Sequence, residues 1–304
     1  MTRPAEPASE YGATCYRHSG RGTNVRCQNS GKPICSECMR DTPVGYRCPD
    51  CAPTSKPIFD DSMVMTKVML GICAAVFVVQ VVLGLSHGQS NAILSATGDA
   101  AYTNPIYLHG ALWAPGIDQD HEYWRIITSG FLHAGLIHIA FNSYFIWILG
   151  QLIEAAVGKL RFALLYLTSM IGGAAGALAL SSVNTPTIGA SGAAFGLLGA
   201  GIVMARLRRN EQLTNQLVIT AVINFVITIS LSGSISVGGH LGGFATGLVC
   251  GWIAYGPWQR QRWVAPVAYV GLAVVLFAVA VFIAHDKVQA FNDAQTVVGQ
   301  VRTP

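Results

Sequence analysis

Charge is what this sequence has least of. Only 11% of its 304 residues are Asp, Glu, Lys or Arg, against about 25% in an ordinary soluble domain. The deficit excludes a conventional soluble globular chain. The little charge present is unevenly spread, with eight of the 19 Lys and Arg before residue 64. A formal net charge of +4 is too small and too dispersed to attract nucleic acid, so no such partner is expected. Residues 1–60 lack an apolar run of signal-peptide length, and no signal peptide is expected. Acidic residues thin out further along the chain: between 189 and 285 the sole one is Glu211. The chain therefore divides into a polar head and an apolar body.

Cysteine follows the same division. Six of the eight lie between residues 15 and 51, while Cys73 and Cys250 stand singly in apolar stretches and read as small buried hydrophobes. The head carries Cys15-x2-His18, Cys27, Cys35-x2-Cys38 and Cys48-x2-Cys51. Ligands two residues apart suit a tight knuckle that aims both side chains at one tetrahedral zinc. The segment is too short and polar to fold by core burial, and metal binding would supply the missing stability. A disulfide framework is the alternative, but it needs an oxidising compartment, and the loop charges considered next put the head in the cytoplasm. The head resembles a B-box-like cross-brace with two interleaved zinc sites. It departs from that pattern at Cys27-Gln28-Asn29-Ser30, where a second Cys would be expected. If the first and third pairs share a metal, Cys15, His18, Cys35 and Cys38 make a complete site. Cys27, Cys48 and Cys51 are then left as three thiolates, either with a water or weak oxygen ligand or empty. One or two structural zinc ions are expected.

Seven stretches approach the roughly 20 apolar residues a membrane span requires: 65–86, 136–154, 160–181, 189–206, 215–232, 236–255 and 264–284. Basic residues sit in alternate turns: Lys159 and Arg161, then Arg206, Arg208 and Arg209, then Arg260 and Arg262. The other loops, 182–188 and 232–235, carry no charge, and the long loop 87–135 holds Asp99, Asp118, Asp120 and Glu122 against Arg125. The basic turns face the cytoplasm, so the N-terminus is expected inside, the C-terminus outside, and spans two, four and six enter from the outer face. The expected fold is an all-α polytopic membrane protein behind a small zinc-stabilised domain. Its parts are a disordered tail at 1–12, the zinc-binding domain at 13–53, a linker at 54–64, the membrane body at 65–285 and a C-terminal tail at 286–304.

Polar groups inside spans are costly and are functional candidates by default. Near the outer ends of spans two, four and six lie His133, His138 and Asn142, then Ser191, then His240. Three spans thus bring polar groups to one depth. A serine hydroxyl needs a base within hydrogen-bond reach to act as a nucleophile, and His240 is the base available in the outer half of spans four to six. With no carboxylate there to orient it, a Ser–His dyad is implied, which also avoids burying a carboxylate charge. Ser191 lies in Gly189-Ala190-Ser191-Gly192 at the start of a helix, whose free N–H groups face a developing oxyanion. Gly192 and Gly196 in one span, and Gly239, Gly243 and Gly247 in another, have the spacing that lets two helix backbones approach closely. His138 and Asn142 are four apart, on one helical face, and both can donate hydrogen bonds.

These motifs together (Gly-x-Ser-Gly at 189–192, His-x2-Gly-x3-Gly at 240–247, His-x4-His-x3-Asn at 133–142 and Trp124-Arg125) resemble the signature of the rhomboid intramembrane serine proteases over roughly residues 64–256. The resemblance implies a six-helix core, here with a seventh transmembrane helix. It implies Ser191 and His240 as catalytic residues, needing no cofactor, and His138 and Asn142 as stabilisers of the oxyanion beside the Ser191 N–H. His133, Trp124, Arg125 and the glycines Gly189, Gly192, Gly243 and Gly247 would be supporting. The substrates implied are transmembrane proteins within the lipid bilayer, cut near small or helix-destabilising residues by a site toward the outer face of a cell membrane. Two other readings stand beside it: a catalytically inactive, protein-binding relative, and a transporter or channel with a zinc regulatory head. The latter predicts inverted repeats or charged paths that the sequence does not display. His87, His109, His121 and His285 read as solvated, Glu154 as a helix-end or ion-pair residue, and the span-three glycines as close packing. The head leaves room for a cytoplasmic protein partner.

Overall fold

A computed structural model describes residues 12–42, 45–52, 63–89, 104–257 and 261–301, with the side chains of the last helix described up to 296. All but Gly12 of the disordered tail expected at 1–12, together with Asp99, Arg260 and almost all of the 54–64 linker, lies outside these residues. The chain separates into two compact units, residues 1–62 and 63–304.

The head has little regular structure. Strands β1 (Ala13–Thr14) and β2 (Gly22–Thr23) pair antiparallel, as do β3 (Arg40–Thr42) and β4 (Gly45–Arg47), and a single 3-10 turn covers Ser36–Cys38. Its buried cluster consists of Cys15, Cys27, Cys35, Cys38, Cys48 and one aliphatic side chain, Ile34. Burial of one isoleucine contributes only about 1.5–3 kcal/mol, far below the entropy cost of ordering such a segment.

Among its described residues the body is built of helices. It comprises α1 (Val64–Ser86), short α2 (Pro105–Gly110), α3 (Ala114–Asp118) and α4 (Arg125–Thr128), then α5 (Leu136–Val157), α6 (Lys159–Leu180), α7 (Ser191–Leu207), α8 (Glu211–Ser230), α9 (Val237–Tyr255) and α10 (Val264–Val301). Six of these are long and apolar enough to cross a membrane. The remaining expected span is α7, an apolar helix of 17 residues. At about 1.5 Å per residue it is roughly 26 Å long, short of the ~30 Å hydrocarbon core. A helix end within the hydrocarbon is tolerated where it lines a cavity, which is what the start of α7 does.

Several helix starts are capped by side chains. Asn210 caps α8 by accepting from Leu213 N, and Ser236 caps α9 by accepting from Gly239 N. Helix α1 has no cap of its own. Buried Glu154, from α5, accepts from the N–H groups of Met65 and Thr66 at 2.9 and 2.8 Å and from the Thr66 hydroxyl at 2.7 Å. The helix-end role expected for Glu154 is therefore exercised on a different helix, where an anion also suits the positive end of the macrodipole.

The core is a seam of α6, α7 and α9. A β-carbon at Gly243 would fall on the Gly192 backbone, and one at Gly247 on the Gly196 backbone. Helix α6 joins the seam: β-carbons at Gly173 and Gly176 would meet the carbonyls of Gly239 and Gly238. The glycines of span three thus form the third wall of the seam. Large apolar side chains on the outer faces of α5 and α8, such as Tyr144, Ile148, Val222 and Ile229, are exposed, as lipid-facing residues should be.

Helix α10 runs without a break through Val301, so most of the stretch 286–304, expected as a C-terminal tail, continues the last helix. The charges at Asp286 and Lys287 end the apolar run, yet the following Val-Gln-Ala-Phe sequence keeps good helix formers and no breaker. His285 Nδ1 lies 2.7 Å from Asp118 Oδ1, and Lys287 donates to the Ser181 carbonyl.

Candidate active site and metal centre

Ser191 is the first residue of α7. The loop before it is tied down by the Gly189 N–H, which donates to the Ser129 carbonyl at 2.9 Å, and by paired backbone bonds between Thr187 and Leu112. Gly189 has φ 127°, open to glycine and strained for other residues. It has no room for a side chain either: a β-carbon there would be 2.9 Å from His138 Cε1 and Nε2 and 3.6 Å from Ser191 Oγ. The turn therefore brings the His138 ring edge and the Ser191 hydroxyl to the same spot.

The hydrogen bonds of His138 fix what that edge offers. Its Nδ1 accepts from the Ala134 N–H at 3.1 Å, so in the neutral ring the proton is on Nε2, beside Gly189. One turn along α5 the Asn142 amide is buried, and its Nδ2 has no hydrogen-bond partner. A buried donor without an acceptor is costly, and at a functional site it marks a place for one. His240 lies in the first turn of α9, buried, with its ring stacked on Phe195 of α7 at 4.0 Å between centroids and 19° between planes. Its Nδ1 is 2.7 Å from the Thr228 hydroxyl of α8.

Ser191, His240, His138 and Asn142 all line one cavity of about 710 Å³, whose remaining wall is mainly apolar and includes Phe141 of α5 and Ile227 of α8. The helix N-terminus at Ser191 presents backbone N–H groups without intrahelical acceptors. A hydroxyl, a histidine, two N–H donors and a helix N-terminus are the groups acyl transfer requires.

The other expected residues take positions around the cavity. His133 is fully buried; its Nδ1–H donates to the Phe131 carbonyl at 3.2 Å, and its ring meets His138 edge-on at 5.2 Å. Its backbone exchanges hydrogen bonds with the side chain of Gln80, at 3.1 and 3.3 Å, tying α1 to the start of α5. Trp124 donates its indole N–H to the His109 carbonyl at 3.0 Å, while buried Arg125 pairs with Glu122 and donates to the Ala111 carbonyl at 2.9 Å. Both secure the loop of α2, α3 and α4. His87, His109, His121 and His285 are exposed, though His109 and His285 have the acidic partners Glu122 and Asp118. Sequence reasoning missed Phe195, Thr228 and Gln80. Phe195 was signalled by lying one turn beyond Ser191, and the other two by being polar within apolar spans.

In the head, the Cys and His side chains form two groups, each with its ligand atoms within 4.8 Å of one another. The first is Cys15, His18, Cys35 and Cys38. His18 Nδ1 is 3.9, 3.3 and 3.5 Å from the sulfurs of Cys15, Cys35 and Cys38. A tetrahedron with metal–sulfur and metal–nitrogen bonds near 2.3 and 2.0 Å has edges of about 3.5 Å, so these residues fit a metal ion. His18 Nε2 faces Glu37 at 3.7 Å, an outer carboxylate of the kind that orients a ligating imidazole. The second group is Cys27, Cys48 and Cys51, with Ser30 Oγ 3.6 Å from Cys48 Sγ. Burial pushes the Cys27 thiol up, but hydrogen bonds from the Ser30 hydroxyl and from the backbone at Cys48, Ser30 and Asn29 outweigh it and bring it down to about 6. Both groups could hold a metal ion. No two of the eight cysteines are joined as a disulfide.

Comparison with known proteins locates the same region. Residues 120–257 match the Rhomboid domain family model. The chain is 36% identical over 134 residues to rhomboid protease GluP of Bacillus subtilis, covering 43% of this chain and 26% of that protein. It is 41% identical over 102 residues to the putative rhomboid protease YdcA of the same organism, covering 33% of this chain and 51% of that one. It is also 33% identical over 146 residues to inactive RHOMBOID-like protein 8 of Arabidopsis thaliana, covering 44% and 40%. The matched region spans about a quarter to a half of the length of these relatives. The chain thus carries a rhomboid domain over residues 120–257 and, with six membrane-length helices among its described residues, is a multi-pass membrane protein.

Proposed function

We propose that this chain is an intramembrane serine endopeptidase that hydrolyses peptide bonds in or near the transmembrane segments of other membrane proteins. The observation that carries the reading is the convergence of Ser191, His240, His138 and Asn142 on one cavity. His240 Nε2 takes the Ser191 proton as Oγ attacks the scissile carbonyl carbon. The resulting oxyanion accepts hydrogen bonds from His138 Nε2–H, Asn142 Nδ2–H and the Ser191 backbone N–H. His240 then returns the proton to the leaving amine as the C–N bond breaks. Water, deprotonated by the same histidine, hydrolyses the acyl-enzyme. No metal takes part.

Loop charges support an orientation with the head in the cytoplasm and the cavity toward the outer face of a cell membrane. The four-ligand group of the head suits zinc by its donor set, three sulfurs and one nitrogen, and by its tetrahedral edges. The three-thiolate group would take a second zinc with an oxygen ligand from Ser30 or water. Both ions would be structural.

The match to a relative named inactive favours a second reading, in which the chain binds membrane proteins without cutting them. Labelling by a fluorophosphonate serine probe separates the two. The protease reading expects wild type to be labelled and Ser191→Ala and His240→Ala not to be. An unlabelled wild type, or equal labelling of Ser191→Ala, would favour the binding reading.

A further inference from the structure

We propose that Thr228 is a positioning residue for His240: it fixes the ring proton on Nδ1 and so keeps Nε2 bare to act as base. The inference rests on the protease reading for its consequence, but the hydrogen bond it describes stands on geometry alone.

The Thr228 hydroxyl lies 2.7 Å from two atoms, the Asn224 carbonyl oxygen one turn back on α8 and His240 Nδ1. A carbonyl oxygen only accepts, so the single hydroxyl proton goes to Asn224. Were that proton given to Nδ1 instead, two oxygens would face each other at 2.7 Å with nothing between them. Thr228 Oγ1 must therefore accept from His240, and the proton of the neutral imidazole is on Nδ1. Thr228 is 1% exposed, so no solvent competes for this bond. The opposite constraint acts on His138, whose Nδ1 accepts from the Ala134 N–H and whose proton is thereby held on Nε2. The two histidines of the cavity are locked in opposite tautomers, one as base and one as donor.

Phe195 holds the face of the His240 ring from α7, and Thr228 holds its Nδ1 edge from α8. The site thus obtains from a neutral hydroxyl what a carboxylate would otherwise supply, consistent with the sole acidic residue between 189 and 285, Glu211, lying at the opposite end of α8 from Thr228. The bond also ties the base to α8, which buries only Thr214, Leu217, Ala221 and Thr228 along its 20 residues. Seating of α8 against α9 is accordingly a condition for a competent base.

The test uses full-length protein in bilayers, with 15N-labelled histidine and the His240 signals assigned by their loss in His240→Gln. Wild type should show a protonated Nδ1 and a bare Nε2 at His240. The isosteric Thr228→Val should lose that fixed tautomer and slow Ser191-dependent turnover about tenfold or more with little change in KM, within the range general base catalysis contributes. Thr228→Ser should recover both. A wild-type His240 protonated on Nε2 would overturn the proposal, even if Thr228→Val failed to fold. So would a Thr228→Val protein with unchanged tautomer and rate. A wild type with no Ser191-dependent activity would instead refute the protease reading, leaving the tautomer spectrum to decide the hydrogen bond.

Discussion

The two units of this chain are held together by opposite means. The body closes around α6, α7 and α9, where glycines let backbones touch and long apolar surfaces fill the remainder. The head buries five cysteines around one isoleucine and has no comparable apolar core among its described residues. The body can stand on packing, which in lipid does not depend on the hydrophobic effect between helices. The head cannot, and its sulfurs converge where a metal would complete it. On this account the polar groups that line the cavity are free for chemistry, whereas the sulfur and imidazole groups of the head would be committed to holding its structure.

Chelation should break this comparison most sharply. Structural zinc contributes roughly 10–16 kcal/mol of apparent binding energy to small domains. Stripping the full chain with a strong chelator should abolish hydrogen-exchange protection in residues 13–52 and leave α6, α7 and α9 protected. Within the head, Ser30→Cys should restore a fourth thiolate and tighten the weaker metal, read as slower release to a competing chelator. Cys35→Ala should remove the tighter metal.

In the body, His138→Ala and Asn142→Ala should each lower kcat by about 10²–10³-fold, as expected for loss of an oxyanion donor, without loss of stability. Gly243→Ala should do the reverse. Its methyl would meet the Gly192 backbone, costing on the order of 1–3 kcal/mol of stability by overpacking, measurable as a lower unfolding midpoint in detergent. The smallest effect is expected at the α1 cap. Glu154→Gln keeps one acceptor oxygen, removes the charge and sets an amide NH2 where the other oxygen accepts, and should lower stability by about 1–2 kcal/mol.

Much of the site was legible because membrane spans make polar residues conspicuous. Ser191, His240, His138 and Asn142 stood out against apolar neighbours, and the four-residue glycine spacing announced where helices meet. The interruption at Cys27-Gln28-Asn29-Ser30 likewise foretold a group of three thiolates. What escaped the sequence depends on rotation about helix axes. Thr228 sits in an apolar span where a threonine usually bonds its own backbone, and it does so here through Asn224. Only the packing of α8 on α9 shows that it meets His240 as well. Glu154 was assigned to a helix end, but which helix depends on where α1 begins. Gln80 and His133 are 53 residues apart in the chain, and no local period links them. The length of α10 was missed because charges at 286 and 287 end a membrane span without ending a helix.

The most direct test of the central claim is cleavage of a single-span membrane protein, reconstituted in proteoliposomes with wild type or with Ser191→Ala. The account expects wild type to cut within or beside the span and Ser191→Ala to leave the substrate intact. Equal cleavage by both proteins would contradict it.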